Sequence, residues 1–433
     1  MASSQAHSPL AGKRIIVSGA GIAGLAFVIS MRTIWRPEMG EFPNIKHYER
    51  EDGPSGLSRE GYSMSIRSDE MSEGIQALQK MQVLDKLMDV SIFREGIERG
   101  YFGLWSLDWS RLAIVRDTTP PGVPKSGMRV ARTKLRQVLL DEASKYGEIS
   151  WGTSCTKATS MNDGTYAVEL SDGTKDTCDF IIVADGASSK LRACIKPDEK
   201  LSFAGPVTIG AVSRFEKDVP QVIKRDWGIV ASGQGVAFFA SPMFERTSNW
   251  ALSYMADIPR TELRQPIPLE QCKQLIEEVK GRGKMFQEPF QSLIKNSDLG
   301  TLMVFNNMDK QPFAHGTING VPDGVFFIGD SNHAVSPFAG NGANMALKDG
   351  FDLAECLCIY SSIQEAASSY DMRSIPRAAT SVRFSHGSIA VIHSTGWTWK
   401  FYRSLLVLFG MAMSIWYSFQ DVCGAFHSWR NVL

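Results

Sequence analysis

The segment "GAGIAG", from Gly19 to Gly24, constrains the fold of this chain more than any other feature. It follows "KRIIVS", an apolar run without polar alternation, which is typical of a central parallel strand covered on both faces. An apolar helix comes next, and "IKHYERE" is predicted as a second strand after the break "RPEMGEFPN". The order strand, helix, strand predicts a βαβ unit and therefore an α/β fold with a Rossmann-like domain.

The glycines of this segment have distinct roles in such a unit. Gly19 allows the tight turn, Gly21 lets the backbone approach a pyrophosphate, and Gly24 lets helix and strand pack closely. The helix N-terminus then offers unpaired N–H groups and a partial positive charge to phosphates. Glu49, at the end of the second strand, is placed to accept hydrogen bonds from a ribose. These features predict a dinucleotide site, but the motif does not separate NAD from FAD.

Composition limits the partners. Apolar residues make up 43% of the chain and charged residues 21%, which are ordinary values for a soluble globular protein. Because 46 basic side chains balance 46 acidic ones, partner recognition must be local, and no nucleic-acid partner is expected. Seven irregularly spaced cysteines and the lack of a signal or transit pattern favour a cytoplasmic protein with reduced thiols. The seven histidines and seven cysteines show no metal-ligand spacing, so no metal is expected.

Two later strands end in the same kind of residue pair. "FIIVAD" ends at Asp185-Gly186, and "VFFIGD" ends at Gly329-Asp330. Two Asp-Gly turns before "FIIVAD" predict an antiparallel meander that leads into this strand. The stretch 201–257, which is rich in Val, Phe and Thr, predicts a second, antiparallel sheet. Because ligands bind at the carboxyl ends of parallel strands, we expect these acids and glycines at one edge of one sheet.

With these motifs in order, the sequence resembles the single-component flavin-dependent aromatic hydroxylases typified by p-hydroxybenzoate hydroxylase, and most of all their tetracycline-degrading branch. The resemblance rests on the motifs "GAGIAG", "ADGASSKLR" and "GDSNHAVSPFAGNGAN", and it spans residues from about 14 to 371. It implies FAD, with Glu49 and Arg50 on the adenosine half and Arg132 also on the cofactor. Asp330 would bind ribityl or ribose hydroxyls.

In the same resemblance Asp185 and Gly186 lie near the pyrophosphate, and Pro337 through Gly342 border the isoalloxazine ring. The residues assigned to the cofactor are thus Gly19, Ala20, Gly21, Gly24, Glu49, Arg50, Arg132, Asp185, Gly186, Asp330, Pro337, Gly340, Gly342 and Asn344. N–H groups at the helix that Gly340 and Gly342 open could stabilise negative charge on a reduced flavin. The sequence departs from the family pattern at Ser331, Asn332 and Asn341. His333 is expected to be structural.

The predicted domains are discontinuous. Segments 12–105, 129–200 and 316–375 are assigned to the FAD-binding domain, 106–128 and 201–315 to an inserted, mostly antiparallel substrate domain, and 376–433 to a C-terminal helical tail. The apolar stretch from Phe401 to Phe419 has aromatic residues near its ends, which is also typical of membrane interfaces. A helix hairpin packed on the two domains is favoured over membrane attachment.

The resemblance implies an FAD-dependent monooxygenase that uses NADPH or NADH and O2. It would insert one oxygen atom, by hydroxylation or epoxidation through a flavin C4a-hydroperoxide, into an aromatic, phenolic or polycyclic small molecule of secondary metabolism. No side chain is assigned as catalytic. Gln234, Phe238, Phe239 and Tyr254 are the candidate substrate contacts. Two alternatives stay open at this point: an FAD-dependent oxidase or dehydrogenase on the same fold, and a flavin-binding scaffold without turnover.

Overall fold

The computed structural model describes residues 8–53, 62–92, 100–116, 119–244, 246–261, 263 and 266–430, with side chains to residue 419. Its strands are β1 (Arg14–Ser18), β2 (Asn44–Tyr48), β3 (Ser63–Arg67), β4 (Phe102–Trp105), β5 (Arg111–Val115), β6 (Gly127–Ala131), β7 (Ile149–Ser150), β8 (Cys155–Ser160), β9 (Tyr166–Leu170), β10 (Lys175–Cys178), β11 (Phe180–Val183), β12 (Ser202–Arg214), β13 (Trp227–Ala231), β14 (Val236–Pro242), β15 (Thr247–Met255), β16 (Ser297–Asp309) and β17 (Val325–Phe327). Its helices are α1 (Ile22–Ile34), α2 (Gly74–Lys80), α3 (Leu84–Asp89), α4 (Arg132–Ala143), α5 (Lys190–Ile195), α6 (Leu269–Arg282), α7 (Phe290–Lys295), α8 (Asp330–His333), α9 (Gly342–Ile359), α10 (Ile363–Ile392) and α11 (Gly396–Arg430).

Five parallel strands form the first sheet, in the order β17, β11, β1, β2, β7. Its side chains alternate between two cores. Ile15 and Val17 of β1 pack in the core that contains α1 and α9, while Ile16 packs in the core that contains β8 to β10. The strand is therefore apolar on both faces, and β1, α1 and β2 form the predicted βαβ unit.

The predicted meander is confirmed as the three-stranded sheet of β8, β9 and β10. Gly164 and Gly173 close its two turns with φ of +81° and +86°, conformations that glycine adopts without strain. Apolar residues recur at helical spacing from Ile75 to Leu87, and this segment is divided between α2 and α3, with Gln82 at a φ of +61° between them.

Seven strands form the second sheet, in the order β16, β12, β15, β14, β13, β4, β5. All neighbours are antiparallel except β13 and β4. The outer face of the sheet packs on α6 and α7, around an aromatic cluster centred on Phe238. β4 belongs to this sheet, although its residues fall within segment 12–105, which the sequence assigned to the FAD-binding domain.

The last two helices, α10 and α11, pack on different parts of the protein. α10 packs on α9 and on the short turn Pro337–Ala339, and α11 packs on β5 of the second sheet. A helical tail is thus present, with its two helices on different parts of the molecule. No described helix combines the length and the hydropathy needed to cross a bilayer.

Candidate FAD and substrate site

The three sequence motifs meet at the carboxyl edge of the parallel sheet, because they follow the adjacent strands β1, β11 and β17. The Ile328 amide donates to the Val183 carbonyl (3.0 Å), and the Ser331 hydroxyl donates to the same carbonyl (2.6 Å). Arg192 is buried and donates to the Ser331 carbonyl (2.9 Å) and to the Ala187 carbonyl. One guanidinium therefore joins the second motif to the third.

Glycine is required at several points of this edge because backbones approach closely. A Cβ at Gly19, which has a φ of +105°, would lie 2.5 Å from the Ala184 carbonyl oxygen. A Cβ at Gly24 would lie 2.1 Å from the Gly19 carbonyl oxygen. At Gly21 the nearest atom would be 3.9 Å away, so this position is free on the side where a phosphate is expected. The close contacts at Gly19 and Gly24 agree with the packing roles predicted for these two glycines, and the phosphate-binding role of Gly21 stays a prediction.

The turn after β1 is held by groups from β2 and α4. The buried Glu49 carboxylate accepts from the Ala20 amide (2.6 Å) and from the Glu51 amide (3.0 Å). His47 lies below the turn, and its Nε2 donates to the Gly19 carbonyl (2.9 Å). Burial lowers the pKa of His47, so the neutral ring is favoured. Arg50, predicted on the adenosine side, is exposed beside Glu49.

Several features of this edge fit a nucleotide cofactor. α1 begins at Gly21 without a side-chain cap and without an acidic residue in its first turn, which suits a pyrophosphate. Asp185 Oδ1 is buried and has no hydrogen-bond partner among the described residues, and burial raises the pKa of Asp185. Gly186, with a φ of +82°, has no atom within 4 Å of a Cβ position. Acceptor, open backbone and helix N-terminus lie together, as dinucleotide binding requires.

Asp330 begins α8 and is open to solvent, unlike the buried residues that follow it. The protein atoms packed around the base of this side chain raise the pKa of Asp330 by partial desolvation even though the residue reaches solvent, and the charges of His333 and Arg132 oppose the shift. Arg132 begins α4, and its amide donates to the Tyr62 carbonyl (3.2 Å). The acid and the base that the resemblance assigns to FAD are thus close enough to interact, although they are almost 200 residues apart.

His333 belongs to a buried charged cluster behind Asp330. Its Nε2 lies 2.7 Å from Asp349 Oδ2, and Asp349 also accepts from Arg377 (2.8 Å) and from the Gly329 amide (3.0 Å). Burial opposes ionisation of Asp349, but the charges of His333 and Arg377 outweigh it and hold the pKa of Asp349 below its ordinary value. This arrangement supports a structural role for His333, because its partner fixes the backbone ahead of Asp330.

The segment from Ser336 to Gly342 connects the cofactor edge with the second sheet. Buried Asp309, at the end of β16, accepts from the Ser336 amide and from His386 Nε2 (2.7 Å). Pro337 and Gly340 are exposed, and Gly342 begins α9 with no side-chain cap and no acid in the first turn. The N-terminus of α9 is therefore available to an anionic group.

The positions that depart from the family pattern have structural partners. Asn332 exchanges two hydrogen bonds with the Phe313 backbone (both 3.0 Å), and Asn341 Nδ2 donates to Met71 O (2.8 Å). Ser331 is buried against β11. Asn344 is buried too. Its Oδ1 accepts from the Arg67 amide (2.9 Å), and its Nδ2 donates to the Ser65 carbonyl (3.0 Å) of β3. These side chains hold the segment in place.

The inner face of the second sheet lies toward the cofactor domain and has both small and bulky side chains at its centre. Gly210, Ala251, Phe239 and Ile229 are paired in one row across four strands. Phe239 is half-buried and lies 6.0 Å from the guanidinium of Arg129.

The four predicted substrate contacts are separated by the structure. Phe239 is on the inner face, whereas Phe238 and Tyr254 are on the outer face with α6 and α7. The Tyr254 ring stacks under Arg282, 3.5 Å from its guanidinium carbon. Gln234 is exposed in the β13–β14 turn, where it bridges to Thr395. Strand alternation explains the difference, since neighbouring residues point to opposite faces.

Sequence reasoning missed three basic residues in this region. Arg136, one helical turn after Arg132, is buried, donates to Glu51 (2.5 Å) and reaches the Ala20 carbonyl (3.4 Å). Arg129 is buried at the contact between the domains, and it donates to the Ser65 hydroxyl (2.8 Å) and the Ser241 hydroxyl (2.7 Å). An arginine among the apolar positions of α4 was a usable signal for Arg136.

The third missed residue, His393, joins the sheet to the end of α10. Its Nδ1 donates to the Ile389 carbonyl (3.0 Å), so Nε2 accepts from the Ser253 hydroxyl (2.9 Å). The Phe338 ring contacts the imidazole edge-on at 5.5 Å. Burial lowers the pKa of His393 to about 4, although the hydrogen bond to the Ile389 carbonyl opposes the shift. The sequence around His393 gave no indication of this position.

Comparison with known proteins agrees with this geometry. The family model described as "FAD binding domain" matches residues 319–385, which include Asp330 and the start of α9. The protein named monooxygenase cfoF, from Aspergillus candidus, is 35% identical over 394 residues, covering 89% of this chain and 93% of that protein. This chain belongs to the FAD-dependent monooxygenases. The resemblance inferred from the three motifs is thereby confirmed, and the monooxygenase assignment is supported over an oxidase.

Solved structures share the fold of this monooxygenase. The HpxO protein of Klebsiella pneumoniae, solved with FAD and uric acid, superposes with a TM-score of 0.70 at 16% identity, covering 91% of this chain and 92% of that one. The tetracycline destructase Tet(51) superposes with a TM-score of 0.63 at 16% identity, covering 93% and 97%. FAD is the cofactor of the family, and NAD(P)H is its typical reductant.

Proposed function

We propose that this monooxygenase inserts one oxygen atom of O2 into an aromatic, phenolic or polycyclic small molecule of secondary metabolism. The molecule would lie between the inner face of the second sheet and segment 336–342. One substrate C–H becomes C–OH, the second oxygen atom leaves as water, and NADPH or NADH supplies the two electrons. The single observation that carries the proposal is the meeting of three strand-end motifs at one sheet edge, with Phe338, which precedes the uncapped α9, packed on that inner face.

The residues present suit FAD. The α1 N-terminus and Gly21 would hold the pyrophosphate, while Glu49 and Asp330 would accept from hydroxyl groups. The α9 N-terminus, at Gly342, would face the ring end that becomes negative on reduction. When bound, FAD supplies electron transfer from NAD(P)H and activation of O2.

The protein's own contribution is positioning and the exclusion of water. Phe239, Ile229 and Phe338 would form apolar walls around the reacting carbon, and the small Gly210 and Ala251 would leave room for a planar ring. No side chain is required to form a covalent bond with the substrate. The uric acid in the HpxO structure and the name of the tetracycline destructase point toward planar or fused-ring compounds.

The placement of FAD is tested by retention of the cofactor. Asp330→Ala and Arg132→Ala each remove a polar partner from the proposed site, so we expect each variant to lose FAD at least about tenfold more readily on dilution. Lys200→Ala, on an exposed side chain elsewhere, serves as the control. Full FAD occupancy in both variants after dilution would show that the cofactor lies elsewhere.

The reaction is tested by anaerobic stopped-flow and isotope labelling. A panel of phenols, naphthols and 4-quinolones is screened for compounds that accelerate reduction of the enzyme-bound flavin by NADPH or NADH. For a true substrate we expect roughly a 100-fold acceleration, equal to about 2.7 kcal/mol in the barrier, because reduction without substrate would waste NAD(P)H. Label from O2 should appear in the product. Stoichiometric peroxide without label in the product would instead identify an oxidase.

A further inference from the structure

The outward side of α11 concentrates exposed apolar side chains. Its exposed large side chains are Trp397, Phe401, Leu405, Leu408, Phe409, Met411, Ile415, Trp416 and Phe419. They recur at helical spacing over a length of about 33 Å, at about 1.5 Å per residue. Ile415 is 72% exposed and Trp397 is 81% exposed, so these residues are not covered by the rest of the protein. Contiguous exposed apolar patches of this kind mark interaction sites.

The opposite side of the same helix fixes it to the second sheet. Gly410 lies so close to β5 that a Cβ there would be 2.2 Å from the Leu112 carbonyl oxygen. The Tyr417 hydroxyl accepts from the Arg116 amide (2.9 Å), and the Arg116 guanidinium lies 4.8 Å from the Tyr417 ring centre. Since α11 is attached along one side, its apolar side is held facing outward.

The polar groups of α11 suit a medium without water. The hydroxyls of Ser404, Ser414 and Ser418 each donate to the carbonyl four residues earlier, at 2.8 to 2.9 Å. They therefore offer no unpaired donor to a neighbour. A protein partner of ordinary interface size makes about ten direct hydrogen bonds, and this surface has few groups to make them. An apolar acyl layer needs none.

The charged and aromatic residues of α11 also indicate a lipid layer as the partner. Residues 396–419 contain Lys400 and Arg403, both exposed, and no acidic residue. Trp397 and Trp416 lie near the two ends of the apolar side, where indole rings favour the headgroup region of a bilayer. We propose that α11 lies in the plane of an anionic lipid bilayer surface and attaches the monooxygenase to it on one side.

The proposal is independent of the reaction, because it concerns a surface outside the FAD and substrate site. It is tested with the full-length, FAD-loaded protein by co-sedimentation with vesicles of phosphatidylcholine, with and without phosphatidylserine. We expect sedimentation with both, and stronger binding to the anionic vesicles. Replacing Lys400 and Arg403 by glutamine should remove most of that difference, since each basic residue adds about fivefold to binding at an anionic surface.

The decisive variant is Leu408→Gln combined with Ile415→Gln, which removes apolar contact without adding charge. We expect it to lower vesicle binding at least about tenfold while FAD content stays unchanged. Ile318→Gln is the matched control, because Ile318 is 95% exposed in a turn of the cofactor domain. Equal binding by the double variant and the wild type would overturn the proposal. So would a wild-type dimer in light scattering that fails to bind vesicles and that the same variant makes monomeric, because α11 would then pair with a second copy.

Discussion

Gly21 and Gly24 lie in the same turn, but a side chain at each would meet different surroundings. At Gly24 a Cβ would lie 2.1 Å from the Gly19 carbonyl oxygen, whereas at Gly21 the nearest atom is 3.9 Å away and the φ of −78° suits any residue. We therefore expect Gly24→Ala to lower the free energy of unfolding by at least about 2 kcal/mol. Gly21→Ala should change it by less than about 0.5 kcal/mol and weaken FAD retention about tenfold.

Urea unfolding of the FAD-free protein and FAD release on dilution separate these two effects. If Gly21→Ala destabilised the FAD-free fold as much as Gly24→Ala, Gly21 would have a packing role and not a binding role. At the residue scale, the sequence predicted which glycines form the turn after β1, because the motif fixes their spacing. It was not informative about Phe238 and Phe239, since both faces of β14 are apolar and only the packed sheet shows which face lies toward the cofactor domain.

At the scale of elements, several ion pairs join α9 to α10, and two of them differ in character. Asp349 pairs with Arg377 inside the protein, while Glu355 pairs with Arg373 near the surface at 2.6 Å. We expect Asp349→Ala to lower the free energy of unfolding by about 3 kcal/mol, because it removes the acid that pairs with buried His333 and leaves Arg377 with Asp352 alone. Glu355→Ala should cost about 1 kcal/mol or less.

The comparison is direct because both acids lie on α9 and both arginines lie on α10. Asp349→Ala should also weaken FAD retention, since Asp349 accepts from the Gly329 amide ahead of Asp330, and Glu355→Ala should not. Equal losses of stability from both substitutions would contradict this view of the cluster. The sequence predicted α9 and its strand, but it did not predict Asp349 as the partner of His333, because that contact depends on how α9 and α10 are packed.

At the scale of the whole molecule, the sequence predicted the sheet that carries the motifs, but it did not predict which residues form the contacts between the domains. Local patterns identified β1, β11 and β17 and the edge they share. The contacts between the domains include single polar side chains, such as Arg129 and Asp309, that follow no motif. The packing of α11 on β5 could not be predicted either. The sequence showed an apolar segment but did not show which side of the helix would be buried.

His393 provides a test of this joining, because it bonds to the second sheet and to α10 and contacts Phe338 ahead of α9. Burial lowers its pKa from 6.5 to about 4 in the folded protein. As the pH falls from about 6.5 toward about 4, the unfolded chain therefore takes up a proton that the folded protein does not, and the free energy of unfolding falls. The full stability is present above about pH 6.5, and the loss below it is at most on the order of 3 kcal/mol.

Urea unfolding between about pH 7 and about pH 4 measures this loss. Other buried groups titrate in the same range, and His47 changes stability in the same direction, so the wild type is compared with His393→Gln. Glutamine cannot titrate, and its carbonyl oxygen can still accept from the Ser253 hydroxyl. We expect the variant to be less stable near neutral pH and to lose less stability on acidification than the wild type. Parallel pH profiles for the two proteins would mean that His393 does not couple the two domains to pH.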